Sequence, residues 1–354
     1  MISPEGMGTV IDLAQRRRLG RSAVAVSPLG FGGNALSNLY AAVDAAQALD
    51  AVRVSYAAGV RYFDTAPLYG HGLGEHRMGE ALRGLPRDSY VLSSKVGRLL
   101  RPHGPVAPAK LTPRQGGIFV DELPFSVVFD YSADGVRRSI EDSLQRLGTN
   151  RLDVALIHDV DRWTHGPAYE ERLAQVIDAT LPALQRAKDE GLIRAIGAGV
   201  NDVEACLRLA DQPAIDCFML AGRYTLLERT GCEDLLARCA ERQIAIIVAA
   251  PFNSGILATG AVPDARYNYL PAPPEIIERV RVLEDLCAKH GVTLAAAALQ
   301  FPLRHPAVAG LVAGCRNGSE ARASLALLAE PIPAAFWADL ESLDARSRVL
   351  GASR

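Results

Sequence analysis

The chain has 354 residues, 49% of them hydrophobic and 22% charged, with 38 Lys and Arg against 40 Asp and Glu for a formal net charge of −2. That balance describes a well-buried globular protein and lacks the basic surface that a nucleic-acid binder needs. No apolar run approaches the ~18 residues of a membrane span, so neither nucleic acid nor membrane is an expected partner, and a cytoplasmic protein acting on small molecules is.

Residues 1–16 carry no strong pattern and read as a disordered leader. From Ser27 onward, short apolar runs alternate with amphipathic stretches about eight times. The predicted strands are Pro28–Gly33, Arg61–Asp64, Tyr90–Lys95, Asp153–His158, Ala195–Val200, Cys217–Leu220, Ile244–Ala249 and Val308–Ala313. They are apolar on both faces, as strands covered by helices are. The predicted helices between them are Asp44–Ala58, Glu75–Leu82, Asp134–Leu147, Glu170–Glu190, Asp202–Ala210, Glu233–Arg242, Glu275–His290 and Ser319–Leu328, with a last one over Ala334–Arg346. Several begin on acidic residues and stop at Gly59, Gly148, Gly191 or Gly291, in keeping with helix-end chemistry.

Eight strand-helix units fit an α/β (β/α)8 barrel, a TIM barrel of one domain over 17–354. The glycines of Gly30–Phe31–Gly32–Gly33 lack the third member of a Rossmann turn, which argues against a doubly wound sheet. Two insertions interrupt the repeat, 98–130 after the third strand and 259–274 after the seventh. Both belong at the C-terminal mouth, where a barrel of this kind binds its ligands.

Six cysteines lie in the C-terminal half without C-x-x-C spacing, so buried free thiols are expected rather than disulfides or structural zinc. No metal site is expected. His158, Asp159 and Asp161 form a rival ligand set, but alternate strand residues face opposite ways.

Polar residues that end apolar strands carry the chemical signal: Asp64, Lys95 and His158 close three successive strands, and Tyr69 follows Asp64 by five positions. A phenol ionises near 10. A buried ammonium beside it would pull that value down, a carboxylate would hold the ammonium charged, and an imidazole would orient the oxygen of the reacting group. The expectation is a device that moves a proton on an oxygen whose carbon exchanges hydride.

The run Gly59–Val60–Arg61–Tyr62–Phe63–Asp64–Thr65–Ala66–Pro67–Leu68–Tyr69–Gly70, with Gly72, Glu75, Met78 and Gly79, resembles the first signature of the aldo-keto reductase superfamily. Ser94–Lys95, the stretch Ser143–Gly148 leading to Asp153 and His158, and the opening Arg18–Leu19–Gly20–Arg21 extend the resemblance over about 17–345. It implies the same barrel, Asp64, Tyr69, Lys95 and His158 as catalytic residues, and a nicotinamide dinucleotide across the mouth. Cofactor contacts then fall on Gly32, Asp64, Asn201, Phe252, Asn253, Ser254, Gly255, Leu257, Gly314, Arg316, Glu320 and Ser324.

Val200, Ala221 and Ala249 depart from the Ser, Gln and nicotinamide-stacking Tyr that the family commonly carries. Glu320 stands where many members place an Arg for a 2′-phosphate, which favours NAD, while Arg316 and Arg322 leave NADP open. The pattern is most similar to the branch of D-threo-aldose 1-dehydrogenases and pyridoxal 4-dehydrogenase, which implies oxidation of a cyclic hemiacetal to a lactone, with an aldose first, a pyridoxal-type substrate second and general carbonyl reduction third. A non-catalytic cofactor sensor is a further reading against which the intact tetrad argues. A sugar would draw on Arg98, Arg101, Asp121, Glu122, Arg223 and Asn253, an aromatic substrate on Trp163, Tyr131 or Tyr267. A monomer or weak homo-oligomer is expected.

Overall fold

A computed structural model describes residues 11–104 and 111–351. Eight parallel strands close into a barrel in sequence order: β1 Leu29–Gly32, β2 Tyr62–Asp64, β3 Val91–Val96, β4 Val154–His158, β5 Ala195–Val200, β6 Cys217–Ala221, β7 Ala245–Ala249 and β8 Val308–Gly314, with β8 pairing back onto β1. The expected (β/α)8 barrel is the observed one. Helix ends follow the local chemistry: Asp44 caps the helix Ala45–Ala57 by accepting from the Gln47 N–H, and Gly59, Gly148, Gly191 and Gly291 all adopt positive φ.

Alternation along the strands sorts the side chains. Tyr62, Val154, Leu156, Ala195, Cys217, Met219, Ala245, Ile247, Ala309 and Val312 fill the barrel interior, whereas Phe63, Leu92, Ala155, Ile157 and Ile196 face the helical layer. Below the strands, a hairpin pairs Arg17–Arg18 with Ala25–Val26 and inserts Leu19, Val24 and Val26 into the base of the interior.

Most of the expected leader, residues 1–10, falls outside the described residues; Ile11 and Leu13, which follow, pack against the core. The expected helix Glu170–Glu190 is interrupted by one π turn, Val176–Thr180, just ahead of Pro182, whose missing N–H breaks the regular ladder. The helix Leu294–Gln300 was not expected: its Ala296, Ala297, Ala298 and Leu299 are wholly buried and leave no polar face to read.

The insertion 98–130 was expected as a weakly patterned loop and instead contains an antiparallel hairpin, Arg98–Pro102 against Phe125–Phe129; residues 105–110 lie outside the described residues. Gly97 turns the chain from β3 into this hairpin with φ +97°, and a Cβ there would meet the Tyr131 ring at 2.3 Å. In the insertion 259–274, Arg266–Tyr267 pairs with Leu270–Pro271.

Candidate active site

The inward register that packs the interior also builds the site. Asp64 ends β2 on the inward side after Tyr62, Lys95 follows Ser93 inward on β3, and His158 follows Leu156 on β4. Tyr69 enters from a turn in which Gly70 and His71 are both left-handed. The structure brings these four side chains together at the C-terminal mouth.

Lys95 Nζ donates to Asp64 Oδ2 at 2.7 Å and to the Thr65 carbonyl at 3.0 Å, and it lies 4.7 Å from the Tyr69 ring centroid. Asp64 Oδ1 accepts from Ser93 Oγ at 2.7 Å, and that hydroxyl also bonds Tyr62 at 3.0 Å. The ammonium is thus aimed from below by a buried network. The imidazole of His158 stands edge-on to Tyr69, 6.1 Å between centroids and 84° between planes.

Electrostatics assign a protonation state to each group. Burial alone would lower Lys95, but Asp64 and Tyr69 together hold it above its ordinary value, so it stays charged. Burial, then Arg98 and Lys95, push His158 well below its usual range, so the imidazole is neutral. For Tyr69 the expectation of a lowered pKa is overturned: burial raises the phenol, and the attraction of Lys95 offsets only part of that. Desolvation outweighs the single nearby cation because the ring is enclosed and Asp64 opposes ionisation as well.

The expected dinucleotide contacts lie on the ends of β1, β5, β7 and β8. Gly32 closes β1 beside Gly314 of β8, and Asn201 follows β5. The turn after β7 carries Phe252, half-buried against the core, then Asn253, Ser254, Gly255 and Leu257. Asn253 and Leu257 are buried; the Asn253 amide accepts from Thr225 Oγ1 at 2.5 Å and donates to the Gly222 carbonyl at 3.0 Å. The Asn253 side chain therefore holds the turn in shape.

Gly255 has φ +104°, and a Cβ built on it would meet nothing within 4 Å. That open backbone next to a turn, together with the buried, unpartnered Nδ1 of His158, fits a ligand lying across the rim. Further round, Glu320 accepts from the Arg316 backbone N–H at 2.8 Å and pairs with its guanidinium at 2.7 Å, at the start of the helix Gly318–Ala329. Ser324 is buried against Cys315. The carboxylate expected to meet a ribose is thus engaged by Arg316.

The rival metal set dissolves into structural roles: Asp159 binds Arg98, and Asp161 caps the turn at Thr164 and accepts from the Asn201 N–H at 2.9 Å. Among the described residues no cluster of three or more His, Cys, Asp or Glu could hold a metal ion.

Beside Tyr69 the pocket walls are Leu39, Leu68, Ile118, Phe119, Val200, Met219, Ala221, Ala249 and Tyr269. Phe119 packs on Tyr69 at 5.9 Å and is held by a two-residue bridge to Leu39, with Tyr40 N–H donating to Ile118 and Val120 N–H to Asn38. Neither Phe119 nor Tyr269 was expected at the site. Of the residues available to a sugar, Arg98 lies under Asp159 and Arg223 on Asn268 and Gly222, Asp121 and Glu122 line an outer cleft of about 760 Å³ that shares Ile118, Phe119 and Tyr269 with the pocket, and Arg101 lies out along the hairpin. Tyr131 is buried and donates to the His158 carbonyl, and Tyr267 donates to Glu228.

The fold and this constellation define an enzyme of carbonyl and alcohol chemistry. The chain belongs to the aldo/keto reductase family, whose model matches residues 28–345. It is 39% identical to pyridoxal 4-dehydrogenase of Microbacterium luteolum, over 94% of this chain and 98% of that one. It is 36% identical to D-threo-aldose 1-dehydrogenase of a Pseudomonas species, over 90% of this chain and 94% of the relative. The fold matches a holo aldo-keto reductase of Bacillus halodurans with a TM-score of 0.70 at 24% identity, covering 93% of this chain and 96% of that one. The protein is an NAD(P)-dependent oxidoreductase that acts on a small molecule. No helix among the described residues is long and apolar enough to cross a membrane.

Proposed function

We propose that this enzyme oxidises the hemiacetal carbon of a cyclic substrate to a lactone, with Tyr69 as the group that takes the hydroxyl proton. The observation that carries this reading is the buried Asp64–Lys95 pair at 2.7 Å with its ammonium 4.7 Å from the Tyr69 ring. Loss of the hydroxyl proton to an ionised Tyr69 and of a hydride from the same carbon turns the hemiacetal into the lactone. A bound nicotinamide supplies the hydride acceptor. Lys95 stabilises the phenolate while it waits, and neutral His158 is available to hydrogen-bond the substrate oxygen.

Asn201, Ser254, Gly255, Gly314 and Arg316 are the residues proposed to hold the dinucleotide. NAD is proposed over NADP because Arg316, which a 2′-phosphate would need, is already neutralised by Glu320.

An aldose is the reading carried by the similarity to D-threo-aldose 1-dehydrogenase. A second reading, a pyridoxal-type aromatic hemiacetal, is favoured by the walls of the pocket. Leu39, Leu68, Ile118 and Phe119 offer flat apolar surface, and each sugar hydroxyl stranded against it without a partner costs about 1–3 kcal/mol. Incubating the protein with NAD or NADP and either L-fucose or pyridoxal, and following nicotinamide absorbance, tests both readings. Reduction is expected with at least one substrate and faster with NAD; no reduction in any of the four mixtures would overturn the proposal.

A further inference from the structure

A second buried charged pair stands at the mouth beside Lys95 and Asp64. Arg98 is 1% exposed and the side chain of Asp159 10%. Arg98 bonds Asp159 Oδ2 through Nη2, donates to the Gln115 carbonyl through Nη1 at 2.7 Å, and stacks over Phe129 at 4.4 Å. A buried ion pair needs good geometry simply to offset its desolvation. Asp159 also sits at φ +51°, a conformation a non-glycine residue keeps only where its surroundings enforce it.

The remaining carboxylate oxygen shows what the pair is for. Asp159 Oδ1 accepts from Asn201 Nδ2 at 3.2 Å. An ionised carboxylate has no hydrogen to donate, so the amide end that meets it must be the NH2. The Asn201 oxygen is thereby turned the other way, where the Tyr269 hydroxyl donates to it at 3.2 Å. Asn201, one of the residues proposed to hold the dinucleotide, stands where the family resemblance places the partner of the nicotinamide carboxamide, a group with one acceptor and two donors that pairs with an amide only when that amide faces the right way.

We propose that the buried Arg98–Asp159 pair positions Asn201, fixing the orientation of its amide for the carboxamide end of the dinucleotide. This rests on the dinucleotide reading above and makes Asp159 a positioning residue: it acts through Asn201. Arg98 has a second part in the device. It keeps Asp159 ionised inside the protein, and it prevents that carboxylate, 3.4 Å from His158 Nε2, from drawing a proton onto the imidazole.

Asp159→Asn separates this role from mere support. The new side chain gives its one acceptor oxygen to Arg98 and turns an NH2 toward Asn201, donor against donor, so the Asn201 amide loses its orientation. Calorimetric titration is run with NAD and with ADP-ribose, which keeps the adenosine and both phosphates but lacks the carboxamide. The wild type is expected to bind NAD more tightly, and Asp159→Asn to narrow that preference about tenfold with ADP-ribose affinity unchanged. An unchanged preference, or equal loss for both ligands, would overturn the proposal.

The wild type provides a second arm that needs no variant. Burial pushes Asp159 up to about 6, against the pull of Arg98 and Lys95 and with the push of Asp161. The other groups facing it, His158, Tyr69, Tyr131 and Tyr269, do not change charge in that range, and His165 is held down at about 4. The preference for NAD over ADP-ribose is therefore expected to shrink between pH 7.5 and 5.5; a flat preference would overturn the proposal. Should the wild type bind neither ligand, the dinucleotide reading itself falls and takes this inference with it.

Discussion

Tyr69 is where two opposed effects of similar size meet. A cation about 4 Å from a phenolate contributes on the order of 4 kcal/mol at an effective dielectric of ~20, yet burial prevails and the phenol rests above its ordinary value. The base form needed for oxidation is then scarce at neutral pH. The rate of oxidation is expected to keep rising through pH 9, and the reverse reduction, which needs the protonated phenol, to keep its rate over the same range. Tyr69→Phe removes the proposed proton acceptor and should lower kcat by roughly 10²–10⁴ while dinucleotide affinity by titration stays within about twofold; a large loss of affinity would mean that Tyr69 serves binding instead. The three strand-end residues were legible in the sequence because an apolar run that stops on Asp, Lys or His announces itself, and Tyr69 through the motif that follows Asp64. The balance at Tyr69 was not, because it depends on how completely the ring is enclosed.

Among the elements, the insertion after β3 does the most to shape the pocket. Gly97 releases the chain from the barrel, Arg98 pins it to the end of β4, and the bridge between Leu39 and Phe119 lays it over Tyr69. Phe119 is only partly buried and walls the pocket beside Tyr69, so Phe119→Ala should leave the unfolding midpoint nearly unchanged and reduce kcat/KM for a flat aromatic hemiacetal more than for an aldose, by about tenfold in the ratio. Steady-state rates on pyridoxal and L-fucose measure this, and an unchanged ratio would remove Phe119 from specificity. The barrel strands could be read from residues 29 to 314 because helices cover them and both faces are apolar. The hairpin could not: its second strand is half exposed, its first begins on a buried arginine, and its register comes from pairing across more than twenty residues. The same distance hid Arg98 and Asp159 from each other, 61 positions apart in the chain.

At the scale of the whole molecule, the expectation of unpaired thiols is met: Cys206, Cys217, Cys232, Cys239, Cys287 and Cys315 are free and buried. Burial pushes Cys232, Cys287 and Cys315 up to about 11 and Cys239 to about 12. At pH 8 about one thiol in a thousand at such sites is ionised. The native protein is expected to react with an aromatic disulfide reagent only as fast as it unfolds, and denaturant to release all six at once; a rapid native reaction would reveal a thiol in reach of solvent.

The plug of Leu19, Val24 and Val26 beneath the strands closes the floor of the barrel. The pocket beside Tyr69 lies at the opposite end of the strands, next to Phe119. In the proposed reaction, reactant, product and the hydrogen ion taken by Tyr69 all use that end, so turnover is a matter of queueing on one side rather than of flow through a tunnel.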